Sequence, residues 1–260
     1  MIPKLSIITI NYNNLEGLKR TFESVVNQTW QEFEYIVIDG GSSDGSAEYI
    51  DSQSQHIDYW VSEPDNGIYN AMNKGIAKAT GEYLLFLNSG DHLYSDTVFE
   101  ENNQHLGKHD LVYFDIEVVG DKFSKVVFYP EYLNFSYMFS GSLPHPATFI
   151  KASLFDEFGT FDENYKIVSD WKFFIVSLFK HNCSYLKVNT LLSIFYLDGI
   201  SSDLKHREML NQERQQILNT DFKNYIEDIN QLFELRTIVS NLRKSKKIRL
   251  LVKLGLLNKF

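Results

Sequence analysis

The chain has 260 residues, of which 43% are hydrophobic and 23% charged, and a formal net charge of -9. That length holds one large α/β domain or a domain with an appendage, and the acidic balance excludes a nucleic-acid binder, which needs a basic patch on its body. The single cysteine, Cys183, excludes an intramolecular disulfide framework and reads as a small buried hydrophobe.

In chain order, "KLSIITINYNN" is an Ile-rich apolar run ending in a polar turn, the pattern of a strand buried on both faces. "LEGLKRTFESVVNQ" then sets Leu15, Leu18, Phe22, Val25 and Val26 at helical spacing, with Asn13 or Asn14 in position to cap it. "FEYIVIDGGSSDGS" is a second buried strand, and a helix through "AEYIDSQS" follows. "IDYWVSEP" is a short strand stopped by Pro64. "DNGIYNAMNKGIAKA" carries Ile68, Met72, Ile76 and Ala79 on one helical face, and "EYLLFLNSGD" ends a buried strand abruptly in Asn88, Ser89, Gly90 and Asp91. Strict strand–helix alternation predicts a mostly parallel sheet with right-handed crossovers.

The stretch from "HDLVYFDIEVVG" to "FYPEYL" alternates apolar and polar residues and predicts antiparallel or edge strands. A helix is expected from about Ser169, one or two strands in "SYLKVNTLLSIFYLDGISS", and helices from Asp203 to the end. No apolar run reaches the roughly 18 residues of a membrane span, and the N-terminal apolar run is too short for a signal peptide, so a cytoplasmic protein is expected. After Glu234 there is no acidic residue, while Arg236, Arg243, Lys244, Lys246, Lys247, Arg249, Lys253 and Lys259 follow. This tail reads as a basic amphipathic helix, suited either to an anionic membrane surface or to packing on the acidic body. Apolar faces on the terminal helices also fit a homodimer.

"DGGSSDGS", residues 39–46, is Gly-rich and follows a strand, yet Ser46 stands where a P-loop needs Lys. The G-x-G-x-x-G spacing of a dinucleotide site is absent too. What remains is Asp39 at a strand end, placed to accept a hydrogen bond from a base or ribose, or to close an Asx turn.

"ITINYNN", "VIDGGSSDGS", "SEPDNGIYNAMNKGIAKATGEYLLFLNSGD" and "VSDWKF" occur in the order expected of family 2 glycosyltransferases, and the chain resembles that family over about 200 residues. The resemblance implies a GT-A fold: an α/β Rossmann-like, mostly parallel sheet flanked by helices, with a smaller antiparallel acceptor-side portion and C-terminal helices. It divides the chain into a nucleotide-sugar half, 1–100, an acceptor and catalytic half, 101–202, and a helical extension, 203–260.

The implied activity is inverting transfer of a sugar from a nucleoside-diphosphate sugar, UDP favoured, to a glycan or lipid-linked saccharide, in cell-surface polysaccharide assembly. The donor would be held by Thr9, Asn11, Asn13, Asp39, Asp65, Lys74 and Asn88, with helix capping and a solvated lysine as the plainer roles of Asp65 and Lys74. The family usually places a D-x-D motif at the strand tip to hold Mn2+ or Mg2+. The matching "NSGD" has one carboxylate, Asp91, which becomes the metal-ligand candidate, with Asn88 offering a neutral oxygen. Asp170 matches the family's base, and partial burial is expected to raise its pKa. His145, between two prolines, and Trp171 are candidates for the acceptor side, and Ser201, Ser202 or His206 for a loop over the diphosphate.

Two other readings stay open: a sugar nucleotidyltransferase, against which "NYNNLEG" lacks a basic residue, and a GT-A scaffold that has lost catalysis, which the single carboxylate allows. A glycosidase would need two facing carboxylates and no nucleotide site.

Overall fold

Four apolar runs of the N-terminal half become strands: β1 (Leu5–Asn11), β2 (Phe33–Asp39), β3 (Tyr59–Ser62) and β4 (Tyr83–Phe86). The computed structural model describes residues 4–197, 199 and 204–258. β1 and β4 are buried along their whole length, which is why their sequences are continuously apolar rather than alternating.

Three helices cross between these strands: α1 (Leu15–Val26), α2 (Ser46–Ser52) and α3 (Ile68–Ile76). Leu18, Phe22 and Val25 of α1 join Leu5, Ile7 and Val37 in the core. Asn14 caps α1, its Oδ1 accepting from Gly17 N at 3.1 Å. α3 lies so close to β1 that a Cβ on Gly75 would stand 2.4 Å from Ile8 Cγ2.

β1 pairs in parallel with β2 on one side and β4 on the other, and β2 with β3. The order β3-β2-β1-β4 therefore reverses between β1 and β4. In open α/β sheets such a switch point opens a crevice at the carboxyl ends of the two strands. Here those ends carry Asn11 and Tyr12, and Asn88 to Asp91.

The second half continues the sheet in mixed sense. Its elements are β5 (His92–Leu93), α4 (Val98–Asn102), β6 (Leu111–Gly120), β7 (Phe123–Val127), α5 (Phe135–Ser140), β8 (Thr148–Lys151), α6 (Ser153–Phe158), α7 (Ser169–Phe179) and β9 (Tyr185–Tyr196). β8 runs antiparallel to both β4 and β6, β7 antiparallel to β6, and β6 parallel to β9. The antiparallel texture expected of β6 and β7 is present, whereas "FYPEYL" is a loop held by Tyr129 N donating to Asp115 Oδ1. Asp115 also pairs with Lys187 at 2.7 Å, both side chains almost fully buried. Much of the aromatic excess is core: Phe86, Phe155, Phe161 and Phe173 pack ring to ring. Cys183 is buried as expected, and burial pushes its thiol up to about 11.

Contacts divide the chain into two units, Met1–Glu213 and Arg214–Phe260. The second holds the end of α8 (Arg207–Asp221), then α9 (Lys223–Lys244) and α10 (Lys246–Lys253). Among the described residues no helix is long and apolar enough to cross a membrane.

Candidate active site

The crevice at the switch point is a cleft of about 710 Å³, lined among others by Asn11, Tyr12, Gly40, Asp65, Asn88 and Ser89. That volume falls within the roughly 300–1,000 Å³ typical of small-molecule sites. A smaller cavity of about 100 Å³ is lined by Tyr69, Asn88, Ser89, Asp91, His145 and Asp170 among others. Asn88 and Ser89 belong to both.

The strand tip that carries these residues is held from α1. Thr21 Oγ1 donates to Asp91 O at 2.6 Å and accepts from Gly90 N at 3.0 Å. Asn14 Nδ2 donates to Ser89 O, and Ser89 Oγ donates back to Asn14 O, both at 3.1 Å. Arg20 reaches Gly90 O at 3.3 Å and lies 4.4 Å above the Tyr196 ring. Asp91, 6% exposed, accepts from Tyr196 N at 3.2 Å.

Asp170 stands in the first turn of α7. Its Oδ1 accepts from the Tyr69 hydroxyl at 2.8 Å, and its Oδ2 lies 3.3 Å from His145 Nδ1. His145 Nε2 lies 3.2 Å from Asn88 Nδ2. An amide N–H pointing at Nε2 leaves Nδ1 to carry the imidazole proton toward Asp170. Burial works to raise the Asp170 pKa, but His145 and the Tyr69 hydroxyl outweigh it, and the pKa is lowered. This corrects the expectation that burial would raise it: the carboxylate stays ionised. Tyr69 itself is pushed well up, by burial and by the Asp170 charge, so it remains a donor.

Asp39 ends β2 with no exposed surface. Asn11 Nδ2 and Ser42 Oγ donate to its Oδ1 at 2.7 and 2.6 Å, and Ser42 N and Ser62 Oγ to its Oδ2 at 2.9 and 2.6 Å. Burial opposes the charge, yet the donors prevail and the pKa is lowered. Each oxygen thus has two protein donors, and Asp39 shapes the turn behind the cleft. Asp65 is the carboxylate that lines the cleft. It accepts from Gly67 N at 2.9 Å, while the residue capping α3 is Gly67.

Several expected donor contacts fall elsewhere. Thr9 lies inside the sheet, its hydroxyl donating to Leu87 O and accepting from Tyr35, because its strand position points into the core. Asn13 is exposed and ties the first loop to the second through Ser42 and Ser43. Lys74 is drawn to Glu63 at 2.8 Å and Pro64 O at 3.1 Å, and lines neither cavity. Trp171 is 1% exposed and donates to Met138 O, so it has no face for a sugar. Ser201 and Ser202 lie outside the described residues, and His206 ends a single 3-10 turn and lines neither cavity.

Asn11, Asp65, Asn88, Asp91, His145 and Asp170 are brought to the two cavities. Among the described residues no three His, Cys, Asp or Glu side chains group as a metal site. Buried Asn88 Oδ1 has no hydrogen-bond partner, and Asp91 lines the same cavity. One carboxylate and one neutral oxygen fit a hard divalent ion whose shell is completed by phosphate and water.

The family model for Glycosyl transferase family 2 matches residues 6–161. The chain belongs to glycosyltransferase family 2. An uncharacterized glycosyltransferase of Mycobacterium tuberculosis is 34% identical to this transferase over 214 residues, covering 79% of each chain. A PGL/p-HBAD biosynthesis glycosyltransferase of Mycobacterium bovis is 31% identical over 178 residues, 66% of this chain and 68% of the relative. Among solved structures, S. aureus TarS in complex with UDP-GlcNAc aligns with a TM-score of 0.66 at 19% identity, over 84% of this chain and 68% of the other. Mannosyltransferase PcManGT from Pyrobaculum calidifontis, in complex with GDP-Man and Mn2+, aligns with a TM-score of 0.66 at 13% identity, over 98% and 80%. At those identities the likeness shows the fold, which is GT-A.

Three residues of this glycosyltransferase escape a reading of its sequence. Tyr12 lines the cleft with 67% of its surface exposed, an aromatic face of the kind that stacks on a base. The "TINYNN" turn after a strand was its only signal. Tyr69 and Arg20 gave none, since each finds its partner by tertiary packing.

Proposed function

We propose that this glycosyltransferase moves one sugar, with inversion, from a nucleoside-diphosphate sugar to a glycan or lipid-linked saccharide in cell-surface polysaccharide assembly. The observation that carries the reading is the junction at Asn88 and Ser89, where the large cleft meets the cavity of Asp170. A donor in the cleft with its diphosphate at this junction has its anomeric carbon toward Asp170. The acceptor hydroxyl attacks that carbon, the bond to the diphosphate breaks, and Asp170 takes the hydroxyl proton.

Tyr69 and His145 hold the carboxylate in place for that step. Tyr12 and Asp65 hold the nucleoside, and Asp39 with Asn11 keeps the turn beneath it. Asp91 and Asn88 Oδ1 would hold Mn2+ or Mg2+, which supplies positive charge to the leaving diphosphate when bound.

UDP is favoured because TarS of the same fold is seen with UDP-GlcNAc, while PcManGT with GDP-Man and Mn2+ makes GDP the competitor. The relative named as a PGL/p-HBAD biosynthesis glycosyltransferase supports a role in a biosynthetic glycosylation step. Calorimetric titration of UDP, GDP and dTDP, each with and without Mn2+, tests the reading. Metal-strengthened binding of one nucleotide is expected; no binding of any would remove the donor site.

A further inference from the structure

We propose that α9 and α10 dock this chain on an anionic lipid surface. On α9, Leu235, Ile238, Val239 and Leu242 are 59, 47, 36 and 40% exposed. Their spacing of three and four residues puts them on one helical face. Arg236 and Arg243, seven residues apart, run beside it. After the break at Ser245, α10 adds exposed leucines of its own, Leu250 at 57% and Leu254 at 62%, with Leu256 68% exposed beyond its end. Lys246, Arg249 and Lys253 share one side of α10 next to those leucines, while Ile248, Leu251 and Val252 are half-buried.

The choice of occupant follows from the combination. A chain rarely leaves this many apolar side chains in water on consecutive helices without a use for them. An acidic protein surface would meet the charges and leave the leucines wet. The same face of a second copy would cover the leucines but set eight cationic side chains against eight, with no acidic residue after Glu234 to offset them. An anionic bilayer satisfies both, since apolar side chains enter the headgroup–acyl boundary while lysine and arginine stems lie along it with their charges at the lipid phosphates. The other 234 residues carry all 34 acidic side chains, so the same surface repels the body and confines contact to the tail.

The full-length chain is sedimented with vesicles of phosphatidylcholine alone and with added phosphatidylglycerol. At least about tenfold more protein is expected on the anionic vesicles, released as salt rises. Two variants separate the contributions: Lys246→Glu with Lys247→Glu, and Leu250→Asn with Leu254→Asn. All four positions are at the surface, so thermal unfolding should match the wild type, and each variant should lose vesicle binding. Equal binding to neutral vesicles, no binding to anionic ones, or retention by the charge-reversed variant would each overturn the proposal. So would light scattering that shows a dimer abolished by the leucine substitutions, which would give the surface to a second copy. The experiment needs neither donor nor acceptor, so its failure leaves the reading of the active site untouched.

Discussion

His145 Nδ1 and Asp170 Oδ2 lie 3.3 Å apart, and this pair, with the Tyr69 hydroxyl on the other oxygen, fixes the protonation state of the proposed base. The burial that would raise its pKa is outweighed and the pKa is lowered. Asp170→Asn keeps the shape and removes the lone pair that accepts the proton. Turnover should fall at least about a hundredfold with donor affinity retained. Tyr69→Phe removes a donor to the carboxylate and so raises its pKa. A base works when deprotonated, so the acid limb of the rate profile should move to higher pH in that variant. Steady-state kinetics from pH 4 upward, with donor binding by calorimetry, check both; unchanged turnover in the Asn variant would take Asp170 out of the role.

Asp39 leads to a stability prediction. Its folded pKa is lowered, so its contribution is present above the ordinary carboxylate value and is lost as pH falls through the folded one. Asp39→Asn replaces an acceptor by an amide whose N–H groups face Asn11 and Ser42. Stability at neutral pH should drop by about 1–3 kcal/mol. Its dependence on pH across the acidic range should be flatter than in the wild type. Urea unfolding at neutral and acidic pH measures both, and identical slopes in the two proteins would contradict the assignment.

The first four strands and their helices were legible because strand burial and helical periodicity are local properties of the chain, as in "SIITIN" or Leu18–Phe22–Val25. The tip "NSGD" was legible because an apolar run cannot end on four small polar residues without a turn. Side-chain destinations were less so. Lys74 sits one helical turn past Asn70 on α3, but only the folded loop brings Glu63 to it. Trp171 neighbours the proposed base in sequence but faces the core, where it donates to Met138 O, since adjacent helical residues diverge by about 100°. The contacts that tune Asp170 span 25 and 101 residues, and no local pattern encodes such pairings. Asp39 is legible as a strand-end carboxylate, whereas its saturation depends on Ser62 from the next strand.

Gly40 offers a test of the cleft in which no carboxylate is itself replaced. A Cβ there would stand 2.5 Å from Asp65 Oδ2, too close for any carbon–oxygen contact. Asp65 is held at its other oxygen by Gly67 N, so Gly40→Ala should displace it from the nucleoside. Nucleotide affinity should fall about tenfold, the equivalent of roughly 1.4 kcal/mol. Calorimetry with the preferred nucleotide reads the loss. Gly40 is itself buried, so some loss of stability is expected as well, and the unfolding temperature is recorded beside the affinity. A large drop in stability with unchanged affinity would mean that the alanine disturbs the turn and that Asp65 does not touch the ligand.

Asp91 decides the metal question. It is the single carboxylate of the strand tip, and it also accepts from Tyr196 N, so an alanine there would mix a lost ligand with a lost structural bond. Asp91→Asn keeps an oxygen for Tyr196 N and removes the charge, which is the property a divalent ion needs. The variant should fold with nearly wild-type stability and still bind nucleotide weakly, but Mn2+ should no longer strengthen that binding. Turnover should drop at least about a hundredfold, since neutralising the leaving diphosphate is worth several kcal/mol. The decisive measurement is the ratio of nucleotide affinities with and without Mn2+ in each protein. A ratio near one for the variant and well above one for the wild type assigns the ion to Asp91. An unchanged ratio would place any metal elsewhere and leave Asp91 as the residue that anchors β9 to the strand tip.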